Sequence, residues 1–278
     1  MKIAIKTEDL YFTYPDGTKA LNGIDLEIRE QEFIAIIGPN GSGKSTLVKH
    51  FIALLKPTKG KVIVFNKDIS NYEPADLVRD VGYVFQNPSH QLFCPSVKEE
   101  LEYGLKNIGL PNSEIKKRVN KILKLMNIEH LKEANPLLLS RGEKVLVAIA
   151  SILVLDPKVI ILDEPTTGLD RRTIEYVFNI LSELNREGKT IIFITHNMRI
   201  VAEYAKRIIV MNSGKVIMDG SPYEIFSKEE ELKKIYIKPP SVYELSLRLK
   251  DLGMRELLTV SEFVENFYNK FSKKFRTT

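Results

Sequence analysis

The stretch "GPNGSGKST" at residues 38–46 constrains the fold of this chain more than any other feature. It fits the pattern G-x-x-x-x-G-K-[S/T] without a mismatch. Before it, "EFIAIIG" (32–38) is an apolar run typical of a buried strand, and after it "SGKSTLVKHFIALLKP" predicts a helix that ends near Pro57. This order predicts a phosphate-binding loop and disfavours a chance glycine-rich turn.

The chemistry of the predicted loop suits a nucleoside triphosphate. Gly38, Gly41 and Gly43 let the backbone curl so that its amide groups face phosphate oxygens closely. The start of the following helix adds a partial positive charge. We expect Lys44 to reach the β- and γ-phosphates and the Ser45 hydroxyl to bind Mg²⁺.

Two acids follow another apolar strand, in "VIILDEP" (159–165). Ligands of open α/β sheets bind at the carboxyl ends of the strands, which is where Asp163 and Glu164 lie. Asp163 suits the binding of Mg²⁺, and Glu164 suits the polarisation of the attacking water as a general base. Two solvated acids at a strand end are the alternative, which the phosphate loop in the same chain disfavours.

Two more polar residues follow apolar strands. Gln86 in "GYVFQNP" could bring its amide oxygen to Mg²⁺ and the attacking water, and His196 in "IIFITHN" could contact the γ-phosphate. The His196 strand follows the acid strand by one helix, so the two strands could be neighbours. A lone histidine is more often an ordinary core or surface residue, and either assignment would be weak without the phosphate loop.

Strands alternate with helices in the second half of the chain, which predicts an α/β fold with a parallel sheet covered on both faces. Residues 1–37 read as strands around a "PDG" turn, and "GKVIVFNKD" reads as a strand pair or hairpin arm. Between residues 97 and 133 the pattern is helical, and Ser113 is the expected cap of the second helix. A further helix is expected from about Asp170 to Glu187.

Length and composition favour one large domain, alone or with a small appendage. The 278 residues carry a net charge of +5, for which a solvated surface is the default interpretation and weak attraction to an anionic membrane or nucleic acid the minor one. The single cysteine, Cys94, allows no intrachain disulfide. No apolar run reaches about 18 residues, and the N-terminus lacks the apolar region of a signal peptide. We expect a cytoplasmic protein with at most a peripheral membrane role.

The local sequence pattern leaves the role of two segments undecided. The tetrad Ser140–Glu143 in "LLSRGEKVLVAIAS" fits a capping box at the start of an apolar helix. A tail begins near Tyr236 with a proline pair and then turns helical. Its leucines suggest packing, either on its own domain or as a dimerisation element: Leu245, Leu247, Leu249 and Leu252.

Six motifs of this sequence resemble those of the ATP-binding subunits of ABC transporters, and the resemblance covers about residues 1–235. In chain order they are "GPNGSGKST", "VFQNP", "LSRGE", "ILDEP", "TGLD" and "ITH". The resemblance implies a P-loop NTPase of the α/β class, with a RecA-like core, an antiparallel β subdomain and a helical subdomain at about 97–155. Residues 236–278 would form a C-terminal helical extension. It also implies an ATP hydrolase that uses ATP and Mg²⁺.

The resemblance implies roles for the residues that match the family's motifs. Walker A, which would bind ATP, comprises Gly38, Pro39, Asn40, Gly41, Ser42, Gly43, Lys44, Ser45 and Thr46. The catalytic set would be Lys44, Glu164 and the switch histidine His196, and the Mg²⁺ ligands would be Ser45, the Q-loop Gln86 and the Walker B Asp163. Residues 168–170 resemble the D-loop. Tyr14, 24 residues before Gly38, resembles the aromatic that stacks on adenine, with Tyr11 as its competitor.

Three stretches look like the ATPases of energy-coupling factor (ECF) transporters: "FTYPDGTKALNGIDLEI", "VFQNPSHQLF" and "PPSVYELSLRL". This likeness implies uptake of a micronutrient, either a vitamin or a transition-metal ion. Two ATPases would pair head to tail under a transmembrane coupling protein, at the cytoplasmic face of the membrane. A small membrane protein would capture the substrate, and no nucleic acid is expected as a partner. The likeness favours a dimer contact for the tail.

Other functions stay open as alternatives. The chain could serve another class of ABC importer, or a soluble ABC ATPase, although the length leaves no room for the coiled-coil arms or tandem cassettes usual in that class. It could also hold ATP without turnover, which the intact Glu164 and His196 disfavour.

The family signature Leu-Ser-Gly-Gly-Gln is altered here, because Arg141 replaces its first glycine and Glu143 its glutamine. In this family Ser140 and Gly142 would face the partner's ATP and not the chain's own. Arg141 could clash with the γ-phosphate there or pair with it. We expect a heterodimer with one site that hydrolyses and one, completed by this signature, that hydrolyses slowly or mainly binds.

Overall fold

The computed structural model describes residues 2–271 as two sheets and their covering helices. The strands are β1 (Ile3–Thr13), β2 (Lys19–Arg29), β3 (Phe33–Ile37), β4 (Lys59–Val64), β5 (Lys67–Asp68), β6 (Val81–Val84), β7 (Val159–Asp163), β8 (Thr190–Ile194), β9 (Arg207–Asn212) and β10 (Lys215–Gly220). The α-helices are α1 (Lys44–Phe51), α2 (Val97–Asn107), α3 (Asn112–Leu125), α4 (Arg141–Leu153), α5 (Arg171–Arg186), α6 (Met198–Tyr204), α7 (Pro222–Phe226), α8 (Glu229–Lys234), α9 (Ser241–Arg248) and α10 (Val260–Phe271).

The larger sheet has six strands in the order β10-β9-β3-β8-β7-β6. All adjacent strands in this sheet are parallel to one another except β10, which runs antiparallel to β9. Alternate residues of β3 enter different cores, since Phe33 packs on one face while Ile34 and Ile36 pack on the other. The sheet is therefore buried on both faces, as the apolar strand runs predicted.

The smaller sheet is antiparallel, in the order β2-β1-β4-β5. The predicted hairpin is present, because Phe65 and Asn66 form a two-residue turn with φ of 45° and 65° between β4 and β5. Helix α1 packs between the two sheets through Leu47, Val48 and Phe51, all fully buried. The loop before α1 thus starts from a rigid base.

Helix α1 ends earlier than predicted, at Phe51 and not near Pro57. Ala53 adopts a left-handed conformation with φ of 56°. Its amide donates to the His50 carbonyl, and the Leu54 amide donates to the Lys49 carbonyl, which is the bond pattern of a Schellman end. The prediction was wrong because alanine, which favours helix, occupies the position where glycine usually marks such an end.

Helices α2, α3 and α4 pack on the opposite face of the larger sheet, in the same core as Phe33. The expected cap of α3 was wrong: this helix begins at Asn112, and Ser113 lies inside its first turn. Pro111 precedes the helix with φ of −68° and ψ of 149°, and it has no amide hydrogen to leave unpaired. These helices span residues 97–153, while a helical subdomain at about 97–155 stays a prediction.

The tail combines a docked part with an exposed part. Tyr243 and Leu258 are buried in the main core, so the start of the tail packs on its own domain. Leu245 and Leu252 are exposed, and α10 has no buried residue. Among the described helices, none has both the length and the apolar character needed to cross a membrane.

Candidate functional site

The carboxyl edge of the six-stranded sheet surrounds a cavity of about 280 Å³. Its lining comprises residues 40–46, Gln86, Asp163, Glu164, Ile194 and His196. These residues follow four adjacent strands: the loop follows β3, His196 follows β8, the acids end or follow β7, and Gln86 follows β6. The fold therefore gathers most of the predicted site residues, while Ser140 and Gly142 lie at the start of α4 and line no part of this cavity.

The phosphate loop has little room for side chains where it meets the rest of the fold. Gly43, with φ of 99°, precedes α1, and a Cβ atom there would lie 2.6 Å from the Ala20 carbonyl oxygen. No side chain caps the first turn of α1, so its amide groups are available to a phosphate. The Lys44 ammonium is buried and donates to the carbonyls of Gly38 and Pro39, at 2.9 Å each. Burial lowers the pKa of Lys44, and the nearby carboxylates of Glu164 and Asp163 oppose this effect.

Asp163 offers one oxygen that is already hydrogen-bonded and one that is not. Its Oδ2 accepts a hydrogen bond of 2.8 Å from the Tyr83 hydroxyl. Its Oδ1 is buried and has no hydrogen-bond partner among residues 2–271. A buried, unpaired carboxylate oxygen in the same cavity as the Ser45 hydroxyl and the Gln86 amide fits a hydrated Mg²⁺ ion.

Mg²⁺ suits this donor set if it binds together with the nucleotide. Within the described part of the chain, no group of three His, Cys, Asp or Glu side chains could hold a metal alone. Proteins commonly bind Mg²⁺ through one or two carboxylates together with substrate phosphates. When bound, the ion would neutralise phosphate charge, and Ser45, Gln86 and Asp163 would supply the protein's ligands.

Glu164 and His196 meet at the same edge of the sheet. His196 Nε2 lies 3.1 Å from Glu164 Oε1, although the two groups lack the alignment of a hydrogen bond. Burial raises the pKa of Glu164 to about 7, and the adjacent Asp163 carboxylate adds to the rise. Burial also lowers the pKa of His196, with the Lys44 charge as a second cause. A carboxylate with a pKa near neutrality is well suited to take a proton from water.

The backbone at Glu164 is held in an uncommon conformation. Its φ is 51°, in the left-handed region that few residues other than glycine adopt. The Glu164 amide donates to the Ile194 carbonyl at 3.0 Å, which ties the end of β7 to the end of β8. Such strain persists where the surroundings enforce it, and here they direct the carboxyl group into the cavity.

Tyr14, and not Tyr11, lies beside the phosphate loop. The Tyr14 hydroxyl is 2.9 Å from Thr46 Oγ1, and its ring packs edge-on against Phe12. Tyr11 instead lies under the Lys59 ammonium, at 5.0 Å. The position of Tyr14 suits contact with a bound nucleotide, while its stacking on adenine stays a prediction.

Comparison with known proteins decides the family. The model of the ABC transporter family matches residues 21–167. The chain belongs to the ABC transporter family. It shares the fold of the family's ATP-binding proteins, as the order of motifs predicted.

This ABC protein is similar to relatives of different length. It is 42% identical to the energy-coupling factor transporter ATP-binding protein EcfA of Methanocaldococcus jannaschii, over 97% of this chain and 99% of that protein. It is 48% identical to a putative ABC transporter ATP-binding protein of Caldanaerobacter subterraneus, over 94% of this chain. The chain spans about half the length of the latter, 45%.

A solved structure shows the same architecture. The structure of cbiO1 from Clostridium perfringens, described as part of the ABC transporter complex cbiONQ, superposes with a TM-score of 0.75. The two sequences are 41% identical over 91% of this chain and 98% of that one.

The altered ABC signature forms the predicted capping box. The Glu143 carboxylate accepts from the Ser140 amide at 2.9 Å and from the Ser140 hydroxyl at 2.6 Å. These hydrogen bonds keep the pKa of Glu143 below its ordinary value. The signature therefore presents a carboxylate that stays ionised at neutral pH and that already accepts the hydrogen bond of the Ser140 hydroxyl.

Arg141 of the signature lies against the D-loop of its own chain. Its Nε donates to the Thr167 carbonyl at 3.2 Å. A Cβ atom on Gly168 would lie 2.5 Å from Arg141 Cδ and Nε, so the arginine side chain packs closely over this glycine, whose φ is 79°. Sequence reasoning considered only a γ-phosphate as the neighbour of Arg141 and missed this contact.

Sequence reasoning also missed Tyr83. A signal was available, because a tyrosine in an otherwise apolar, buried strand usually needs a hydrogen-bond partner for its hydroxyl. The partner, Asp163, lies 80 residues away and becomes a neighbour only through the pairing of β6 with β7.

We predict that Glu164→Gln lowers ATP hydrolysis by at least about 100-fold, because it removes the general base and keeps the size of the side chain. ATP affinity should be retained, because Lys44 and the loop amides still bind the phosphates. The wild-type kcat should rise with pH around 7, where the Glu164 carboxyl loses its proton, and the variant should lack this rise. Phosphate release as a function of pH, with nucleotide binding measured separately, checks each point.

The control is Glu187→Gln, which makes the same chemical change at an exposed position outside the cavity. A Glu164→Gln variant that keeps a near-normal rate and pH profile would contradict the assignment of the base.

Proposed function

We propose that the chain is the ATP-hydrolysing subunit of a membrane importer of the ECF type. It would energise the uptake of a micronutrient, either a vitamin or a transition-metal ion, from the cytoplasmic face of the membrane. The single observation that carries this proposal is the end-to-end match with EcfA, which includes the tail beyond the family match. A second support is that residues 40–46, Gln86, Asp163, Glu164 and His196, which the sequence assigns to the ATPase site, line one cavity at the sheet edge.

ATP would act in this importer by closing a pair of ATPases. This chain's phosphate loop and a partner's signature would enclose one ATP, so that phosphate charge is neutralised between the two subunits. Water activated by Glu164 would attack the γ-phosphate and break its bond to ADP. Release of ADP and phosphate would let the two ATPases separate again. The chemistry would be ordinary ATP hydrolysis, with opening and closing as its mechanical result.

An exposed aromatic pair suits contact with the transmembrane coupling protein. The side chains of Phe93 and Tyr103 are 59% and 48% exposed and pack edge-on at 4.9 Å. The buried Glu100 carboxylate accepts from the amides of Phe93 and Cys94, at 2.9 Å each, and so holds this loop in shape. The same loop leads back to Gln86 in the ATPase cavity, which would connect a membrane partner to the nucleotide.

We predict that the chain co-purifies with membranes when it is co-expressed with its coupling protein, and that Phe93→Ser combined with Tyr103→Ser abolishes this association. The association should be lost because the substitutions remove an exposed apolar contact. Neither residue lines the ATPase cavity, so the site itself stays intact. The basal ATPase rate of the isolated chain serves as the readout for folding. Ile217→Ser, at an exposed apolar residue of β10, is the matched control.

A chain that stays out of the membrane fraction and hydrolyses ATP at full rate without membrane proteins would overturn the import proposal. That result would favour a soluble ABC ATPase.

The altered signature supports unequal ATP sites in a heterodimer of two ABC ATPases. Glu143 would add negative charge near the partner's γ-phosphate, and its carboxylate already accepts the hydrogen bond of the Ser140 hydroxyl. Arg141 donates to the Thr167 carbonyl of its own chain, so the proposal assigns it no contact with that phosphate. The site completed by Ser140 and Gly142 should therefore hold γ-phosphate less well than the site that uses this chain's Lys44 and Glu164.

We predict that, in the assembled complex, Glu164→Gln removes most ATP turnover, while the same change in the partner's equivalent acid removes little. Restoring the signature by Arg141→Gly together with Glu143→Gln should raise turnover at the weaker site, because it removes the negative charge of Glu143 near the γ-phosphate. Single-turnover hydrolysis in the complex measures both. Equal losses from the two acid substitutions would rule out unequal sites.

The exposed side of α10 suits pairing with the tail of the second ATPase. Val260, Val264, Phe267 and Tyr268 form an exposed apolar stripe at helical spacing. Neighbouring rings continue it, with Phe263 and Phe271 at 6.1 and 4.8 Å from Phe267. An equivalent stripe on the partner would cover this surface, and it would keep the two ATPases together while their sites open.

We predict that Val264→Asp raises the dissociation constant of the ATPase pair at least about tenfold without nucleotide, because a charge enters the middle of the apolar stripe. Asn269→Asp adds the same charge at an exposed polar position of α10 and should have little effect. Light scattering after size-exclusion chromatography gives the mass of each species. Unchanged pairing in Val264→Asp would show that α10 does not hold the dimer.

A further inference from the structure

Tyr83 is a buried polar residue beside the ATPase site that no motif accounts for. It lies in β6, a strand of four buried residues, and its side chain is 5% exposed. Its hydroxyl donates to Asp163 Oδ2 at 2.8 Å, and both partners are buried. The strand pairing places Tyr83 opposite Ile161, two residues before Asp163. A hydrogen bond to a carboxylate in such a setting is stronger than one in water.

This hydrogen bond determines which oxygen of Asp163 is free. The carboxylate has one oxygen engaged by Tyr83, while Oδ1 has no partner within residues 2–271. Without the phenol the carboxylate could rotate about its Cβ–Cγ bond, because no other donor in the described chain fixes it. The phenol therefore selects one orientation of the group that would meet the metal.

Tyr83 also contacts the segment that carries Gln86. Gln86 follows Tyr83 by three residues, and Phe85 between them packs edge-on against the Tyr83 ring at 4.7 Å. Tyr83 thus joins the segment that carries one predicted Mg²⁺ ligand to the side chain of another. A change in the bond would alter the distance between the two ligand groups.

We propose that Tyr83 is a positioning residue for the metal site, orienting Asp163 and holding Gln86 at a fixed distance from it. Residues behind metal ligands commonly contribute tenfold or more to metal affinity through such hydrogen bonds. The role is distinct from catalysis, since Tyr83 lines no part of the cavity and would touch neither the nucleotide nor the water.

The test measures how much a metal ion strengthens nucleotide binding. In a Glu164→Gln background, which keeps ATP intact, the dissociation constant of ATP is measured for the full chain with and without saturating Mn²⁺. We expect Tyr83→Phe to reduce the metal-dependent gain in affinity about tenfold and to leave the metal-free affinity unchanged. The control is Tyr204→Phe, whose hydroxyl bonds Asn179 Oδ1 at 3.3 Å, outside the cavity.

Two outcomes would overturn the proposal: a parent chain that gains nothing from Mn²⁺, and a Tyr83→Phe variant that keeps or increases the gain. A double-mutant cycle with Asp163→Asn distinguishes the positioning role of Tyr83 from a general loss of packing. If Tyr83 acts through Asp163, Tyr83→Phe should have little further effect in the Asp163→Asn background. Equal effects in both backgrounds, or a fall in metal-free affinity together with the unfolding temperature, would assign Tyr83 to packing alone.

Discussion

The parallel pairing of β3, β8, β7 and β6 is the constraint on which the rest of the site depends. Each strand is buried on both faces, so the polar side chains that line the cavity lie at its carboxyl end or just beyond it. Four such ends in a row bring together residues from 40 to 196 in sequence. The packing of α1 between the two sheets then fixes the loop that faces them. The geometry of the candidate site is here a direct consequence of sheet order.

The site concentrates charge where little water can reach it. Lys44, Asp163 and Glu164 are each less than a tenth exposed and face the same cavity. Burial lowers the pKa of Lys44 and raises that of Glu164, so each charged form is held at a cost. A nucleotide with Mg²⁺ would supply charges of both signs to this setting. The strain at Glu164 and the unpaired Asp163 oxygen are consistent with a site built to be completed by its ligand.

Local patterns predicted what depends on neighbours in sequence. The phosphate loop, the acid pair and the capping box of Ser140 follow from short motifs whose chemistry is contained within a few residues. The end of α1 at Phe51 did not, because Ala53 adopts a left-handed conformation against the preference of its residue type. The start of α3 at Asn112 did not either, because Pro111 takes the extended position before the helix and Ser113 lies inside the first turn. The contacts of Tyr83 and Arg141 were unpredictable for another reason. Both join segments far apart in sequence, and only sheet pairing or helix packing makes them neighbours.

The contact of Arg141 gives the signature a physical connection to Glu164, the proposed general base of this chain. The turn after Glu164 is closed by the Thr167 amide, which donates to the Glu164 carbonyl at 3.3 Å. The carbonyl of the same Thr167 accepts from Arg141 at the start of α4. In a head-to-tail pair of the kind proposed, this one turn would touch both the base for the chain's own ATP and the signature for the partner's. A glycine in place of Arg141 would lack that connection, so in the proposed pair the altered signature would affect the contact between two sites as well as binding at one of them.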